Sequence, residues 1–166
     1  MKKSALILFL FSLGFMAYIS SSQAAQYADE VIVYKAKRIM EIKRDNQVIR
    51  RYRIALGFNP VGHKLYEGDG RTPVGRYFLN WRNPESAFHK SINISYPDAA
   101  DKAVARALGH EPGNLIMIHG LPNEAPEYNL SHPNEDWTNG CIALTNEEMD
   151  EIWSLVRDGT PILIKP

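Results

Sequence analysis

Residues 31–56, VIVYKAKRIMEIKRDNQVIRRYRIAL, switch between apolar and polar side chains every one or two positions. A period near two fits a pleated strand with one buried face; a helix needs a repeat near 3.6. Val31, Val33 and Lys35 form one short alternation, and Ile39 and Glu41 set against Met40 and Ile42 form another. Asp45-Asn46 lies between two such runs and predicts a hairpin turn. From Val48 to Leu56 Arg or Tyr alternates with Ile and Ala, so this strand is expected to be half buried. A chain that opens this way builds its core around a sheet.

The remainder punctuates that plan. GFNPVGHKLYEGDGRTPVG reads as a long structured loop, because its glycines and prolines recur throughout. RYFLNW and SINISY predict two more strands. Asp98 followed three residues later by Asp101 marks a helix start, and that helix should end at Gly109. NLIMIHG is an apolar run of strand length ending at His119-Gly120. A polar loop with three prolines, LPNEAPEYNLSHPNEDWTNG, follows, and a loop that long usually serves function. Thr145 and Glu148 form a capping box for a helix predicted to run to Gly159. Its stripe of Met149, Ile152, Trp153 and Leu155 or Val156 places Trp153 in the core. TPILIKP closes as a strand. The expected class is mainly β with a few helices (α+β).

The chain has 166 residues, and its start has the grammar of a secretory leader. Lys2 and Lys3 precede an apolar run, Ala5 to Ile19, that falls short of the roughly 20 residues a spanning helix needs. Ser22-Gln23-Ala24 then offers small residues for cleavage after Ala24, with Ala25 the next choice. Residues 1–24 are thus expected to be a signal peptide and 25–166 one exported domain, in the periplasm or cell envelope, with no stable membrane span. Removing Lys2 and Lys3 from 19 basic residues leaves 17 against 19 acidic ones, a net charge near −2. That excludes a basic nucleic-acid or membrane surface.

Export sharpens the meaning of Cys141, the single cysteine. Exported proteins use structural cysteines in pairs. A lone one is an intermolecular bridge, a reactive thiol or a small buried hydrophobe. Gly140 before it would let the Gly140 and Cys141 amides approach a substrate oxygen. The helix start a few residues later would favour a thiolate through its dipole, so an accessible thiol of depressed pKa is expected. Among the five histidines His119 ranks first as a base, because it ends an apolar strand; His132 ranks second, beside Pro133 in the loop. A Cys–His pair supports acyl transfer or amide hydrolysis through a thioester. The histidines lack metal-ligand spacing.

IMIHG, then some twenty residues, then TNGCIAL, together with GDGRTPVGRY at Gly68–Tyr77, resembles the L,D-transpeptidase catalytic domain, the YkuD-like family. The resemblance spans about Val31 to Ile164. It implies a mixed β-sandwich or barrel-like domain without a cofactor or metal. It also implies Cys141 as nucleophile, His119 as general base and acid, the Gly120 carbonyl orienting the imidazole, and Gly140 in the oxyanion cradle. Asp69, Thr72, Pro73 and Gly75 would fix a turn near the site. The implied substrate is the tetrapeptide stem of peptidoglycan. Transfer to another stem would give a 3–3 crosslink, and transfer to an envelope lipoprotein would anchor that protein to the wall. With water as acceptor the same pair would act as an L,D-carboxypeptidase or amidase. A wall-binding protein without catalysis is the remaining alternative.

Two positions depart from the family pattern. Asn139 stands where the family has a second histidine, and Ala143 where it often has arginine. If that arginine holds a substrate carboxylate, Arg71 or Arg76 would have to replace it. Tyr66, Trp137 and Asn139 are further candidates for lining a substrate cleft.

Overall fold

The computed structural model describes residues 27–124 and 132–166; the expected leader, 1–24, lies outside the described residues. Three strands come first: β1 (Glu30–Tyr34), β2 (Ile39–Arg44) and β3 (Gln47–Arg53). Next come β4 (Gly75–Ser86), β5 (His89–Ile94) and the helix α1 (Ala99–Ala107). Then follow β6 (Met117–His119), β7 (Ile142–Ala143), the helix α2 (Asn146–Leu155) and β8 (Thr160–Lys165). All eight strands join one sheet in the order β3-β2-β1-β8-β4-β5-β6-β7, curled into a half-barrel. The mainly β expectation holds. Among the described residues no helix is long and apolar enough to cross a membrane.

Local chemistry explains the framework. Asp45 and Asn46 both take positive φ, 50° and 62°, as a two-residue hairpin that follows strand twist requires. Asp98 and Asp101 cap α1 reciprocally, and Thr145 and Glu148 do the same for α2. Each box satisfies amides that a helix start leaves without partners. The core is filled by one face of the strands. Ile42, Leu79, Ile92, Ile118, Ile142 and Ile162 are fully buried, each contributing about 2 kcal/mol by leaving water.

Three expectations change. Lys35 does not continue β1; it opens a single 3-10 turn, Lys35–Lys37, and is only 2% exposed. α2 stops at Leu155 rather than near Gly159, because Val156 is extended. Arg82, reaching over from β4, donates to the carbonyls of Trp153 (2.6 Å) and Val156 and to Asp158 Oδ1 (2.9 Å). α2 has no basic residue in its own last turn, so Arg82 supplies the positive charge that its C-terminus favours. Trp153 is consequently half buried at the rim of the core, 5.1 Å beneath the Arg82 guanidinium and 5.7 Å from Lys90 Nζ. The substitution Arg82→Met should lower the unfolding free energy by about 1–3 kcal/mol in urea denaturation, since it removes charged hydrogen bonds to helix-end carbonyls.

Candidate active site

Strand register assembles the site. Ser91 in β5 lies opposite His119 in β6, and the parallel β6–β7 pair matches Ile118 with Ile142 and His119 with Ala143. Side chains alternate between faces, so Ile92, Ile118 and Ile142 go to the core. Ser91, Met117, His119 and Cys141 share the opposite face and line a cleft of about 470 Å3. Cys141 stands beside Met117, two residues before Ala143. His119 and Cys141 are thus two residues apart in register on neighbouring segments, and both line the cleft.

His119 is 4% exposed, and its Nδ1 lies 2.7 Å from the Gly120 carbonyl oxygen. A carbonyl only accepts, so Nδ1 carries the proton and Nε2 keeps its lone pair. Phe88 packs on the imidazole at 4.6 Å between ring centroids, and Trp137 meets it edge-on at 5.6 Å. Burial among these rings pushes the His119 pKa down to about 4, against the opposing pull of the Gly120 carbonyl. His132 adds a smaller downward push on it. Gly120 fits only without a side chain: a Cβ there would lie 2.6 Å from Asn146 Oδ1. Asn146 Oδ1 accepts from the Leu121 N–H at 2.8 Å and fixes the chain just after the imidazole.

The Cys141 thiol faces two backbone groups. The Met117 N–H donates to Sγ at 3.4 Å, and Sγ approaches the Leu115 carbonyl at 3.6 Å. Leu115 holds that carbonyl from a left-handed conformation, φ 55°, which bulky residues rarely adopt. Burial pushes the thiol pKa up; the Met117 amide and the Lys64 ammonium pull the other way and do not offset it. This reverses the expected depressed thiol. The helix dipole is also displaced, because β7 separates Cys141 from the start of α2 at Asn146. Lowered imidazole and raised thiol together give a resting pair in which both partners are neutral.

Gly140 takes φ 126°, and a Cβ there would stand 2.6 Å from the Arg71 carbonyl, so only glycine fits. Its N–H, expected to face a substrate oxygen, donates instead to Thr138 Oγ1 at 3.1 Å. Thr138 Oγ1 in turn donates to the Cys141 carbonyl at 2.9 Å. Trp137 and Asn139 line the cleft. Tyr66 stacks on His110 at 4.6 Å, and Arg71 directs a guanidinium nitrogen toward the His63 carbonyl at 3.4 Å; neither lines the cleft. Arg76 pairs with Glu30 at 3.6 Å. Ala143 is fully buried and exchanges both backbone hydrogen bonds with Ala55. Asp69 binds the Leu65 and Arg71 amides and Lys64 Nζ, fixing the Gly68–Gly75 turn.

Residues 28–164 match the family model of the YkuD L,D-transpeptidase catalytic domain. The chain belongs to this family. YafK of Escherichia coli (strain K12), assigned by its name to the L,D-transpeptidases, is 31% identical over 130 residues, which is 75% of this chain and 45% of YafK. The chain thus spans about half the length of the curated relatives it matches. Pgp2, the helical cell shape determining protein of Campylobacter jejuni, is similar in structure at a TM-score of 0.63 and 26% identity, over 83% of this chain and 47% of Pgp2. An L,D-transpeptidase of Xylanimonas cellulosilytica shares the fold at a TM-score of 0.55 and 18% identity, over 86% of this chain and 62% of its own.

Phe88, Ser91, Leu115 and Met117 belong to the cleft and escaped the sequence reading. Stepping back by two from His119 would have found Met117 and Leu115. Ser91 and Phe88 carry no such local signal, because only the β5–β6 pairing brings them there.

Two measurements follow from the ionisation pattern. Above pH 6.5 the imidazole is neutral both folded and unfolded. As pH falls, the unfolded chain takes up the proton first, so stability should decline between pH 6.5 and about 4, by roughly 3 kcal/mol from this group. The decline, followed by urea unfolding, should be shallower in His119→Gln. For the thiol, native Cys141 should react with iodoacetamide more slowly at pH 7 than the same residue in urea-unfolded protein. Its rate should keep climbing through pH 9. A faster native reaction at pH 7 would contradict a thiol held neutral by burial.

Proposed function

We propose that the protein is a cysteine-dependent L,D-transpeptidase acting on peptidoglycan tetrapeptide stems in the cell envelope, after export and removal of residues 1–24. The observation that carries this reading is the imidazole whose Nδ1 proton is committed to the Gly120 carbonyl, on the same sheet face as the only thiol in the chain. Nε2 of His119 takes the Cys141 proton as Sγ attacks the carbonyl of the third stem residue. Because both groups rest neutral, the proton moves with the attack and no preformed ion pair is needed. The Cys141 N–H, behind Gly140, receives the developing oxyanion. His119 then protonates the departing D-alanine, leaving a thioester on Cys141. The amine of a second stem, or the lysine of an envelope lipoprotein, attacks the thioester and gives a proton to His119; the C–S bond breaks, and His119 returns that proton to Sγ.

Hydrolysis is the second reading, and one observation favours it. No lysine or arginine lines the cleft among the described residues, and Ala143 leaves no cation two residues after the nucleophile. An acceptor stem bearing carboxylates then finds no fixed positive partner, and water can take its place, giving carboxypeptidase or amidase chemistry. A wall-binding role without catalysis has no use for the committed imidazole.

Incubating the mature protein with disaccharide-tetrapeptide and analysing products by mass spectrometry separates these readings. D-alanine loss with 3–3 dimers is expected, and Cys141→Ala and His119→Ala should each lower turnover by at least 100-fold. Monomeric tripeptide alone would establish hydrolysis. Full turnover in Cys141→Ala would rule out the thioester.

A further inference from the structure

The geometry points to Lys35, which opens the 3-10 turn after β1, and Arg38, which ends it, as positioning residues that clamp the two backbone segments between which Cys141 is held. The inference rests on Cys141 being the nucleophile.

Lys35 is a buried amine that contributes nothing to the cleft wall. Its Nζ donates to the carbonyls of Gly62 and Thr72, the latter at 2.5 Å. Both carbonyls belong to the loop that ends in the Gly68–Gly75 turn. Arg38, three residues on, forks onto Asp136, with Nε at 3.0 and 2.9 Å from the two carboxylate oxygens and Nη2 at 2.6 Å from Oδ2. Asp136 immediately precedes Trp137 and leads into the cysteine segment. Arg38 also donates to the Lys35 carbonyl, which ties the two prongs together.

The held segments meet at the nucleophile. Residues 54–59 run between them. On one side the Gly57 N–H donates to Thr72 Oγ1 at 3.1 Å, and the Asn59 N–H to the Gly70 carbonyl at 3.0 Å. On the other, the Leu56 N–H donates to Asp136 Oδ1 at 2.9 Å, and residues 55, 56 and 58 bond Ala143 and Thr138. The Arg71 carbonyl lies 2.6 Å from where a Cβ on Gly140 would stand, so the loop packs directly against the residue before Cys141. One short turn thus fixes both walls behind the thiol. The cost of placing a cation there is visible, since burial and the nearby Arg38 and Arg71 lower the Lys35 pKa to about 8, while Asp69 and Asp136 oppose them. A methionine would fill the same space without that cost, yet would leave two carbonyls without a donor.

The test compares Lys35→Met, Arg38→Lys and the control Arg50→Met, whose exposed partner Glu151 lies outside these segments. Circular dichroism first confirms that each variant is folded at 25 °C. Turnover of disaccharide-tetrapeptide gives kcat and KM, and iodoacetamide gives the alkylation rate of Cys141. Lys35→Met should lower kcat by about 10- to 100-fold with KM within about twofold, as expected when a reacting group is displaced by about 1 Å. It should also change the alkylation rate at least threefold. Arg38→Lys keeps the charge but loses the fork, and should lower kcat by about 3- to 10-fold; it serves if Lys35→Met does not fold. Folded variants with wild-type kcat and alkylation rate would overturn the clamp. Alkylation needs no substrate, so wild-type protein inert toward stems would count against the proposed function while the clamp is still decided by the thiol.

Discussion

The parallel pairing of β6 with β7 is the constraint on which the cleft depends. It is short, two matched pairs, yet it decides which side chains share a face. A slip of one residue would send Cys141 into the core and bring Ile142 to the cleft. The register is protected from both sides. Ile118 and Ile142 are wholly buried, and the outer side of β7 is bonded to Ala55. Parallel strands need a long connection, and here that connection is the segment between His119 and Cys141, which carries Trp137 back over the imidazole.

Burial sets the state of the pair as firmly as geometry sets its place. The aromatic rings around His119 remove water that would stabilise an imidazolium, and the enclosed thiol loses water that would stabilise a thiolate. Both groups are therefore held in their neutral forms. The tautomer, by contrast, is decided in advance by the backbone. The Gly120 carbonyl orients the ring without placing a second charge beside it.

Much of this was legible in the chain. The Asp45-Asn46 hairpin, both capping boxes and the strand ending in His119 are local, and local chemistry writes itself into adjacent residues. The three family segments were legible for the same reason, since each is a turn or strand end with its own backbone demands. What could not be read is what depends on distant pairing. Ser91 meets His119 only through the sheet, Arg82 ends α2 from another strand, and Lys35 looks like one polar position in an alternating run. The direction of the thiol's ionisation belongs to the same class. Sequence proximity suggested a helix start near Cys141, but β7 intervenes and burial outweighs the nearby amide and ammonium.

The two ends of the sheet close the molecule off in different ways. β7 stands last in the order, but Ala55 occupies its open side with a reciprocal pair of hydrogen bonds. β3, at the other end, carries Arg50, Arg51 and Arg53 on a largely exposed strand. One edge is capped by the chain's own backbone; the other carries charged side chains, Arg50 paired with Glu151 and Arg51 with Glu41. A strand laid against the β7 edge thus meets Ala143 backbone groups already bonded to Ala55. β7, the strand that follows Cys141, is therefore an interior strand in its bonding although it stands last in the order.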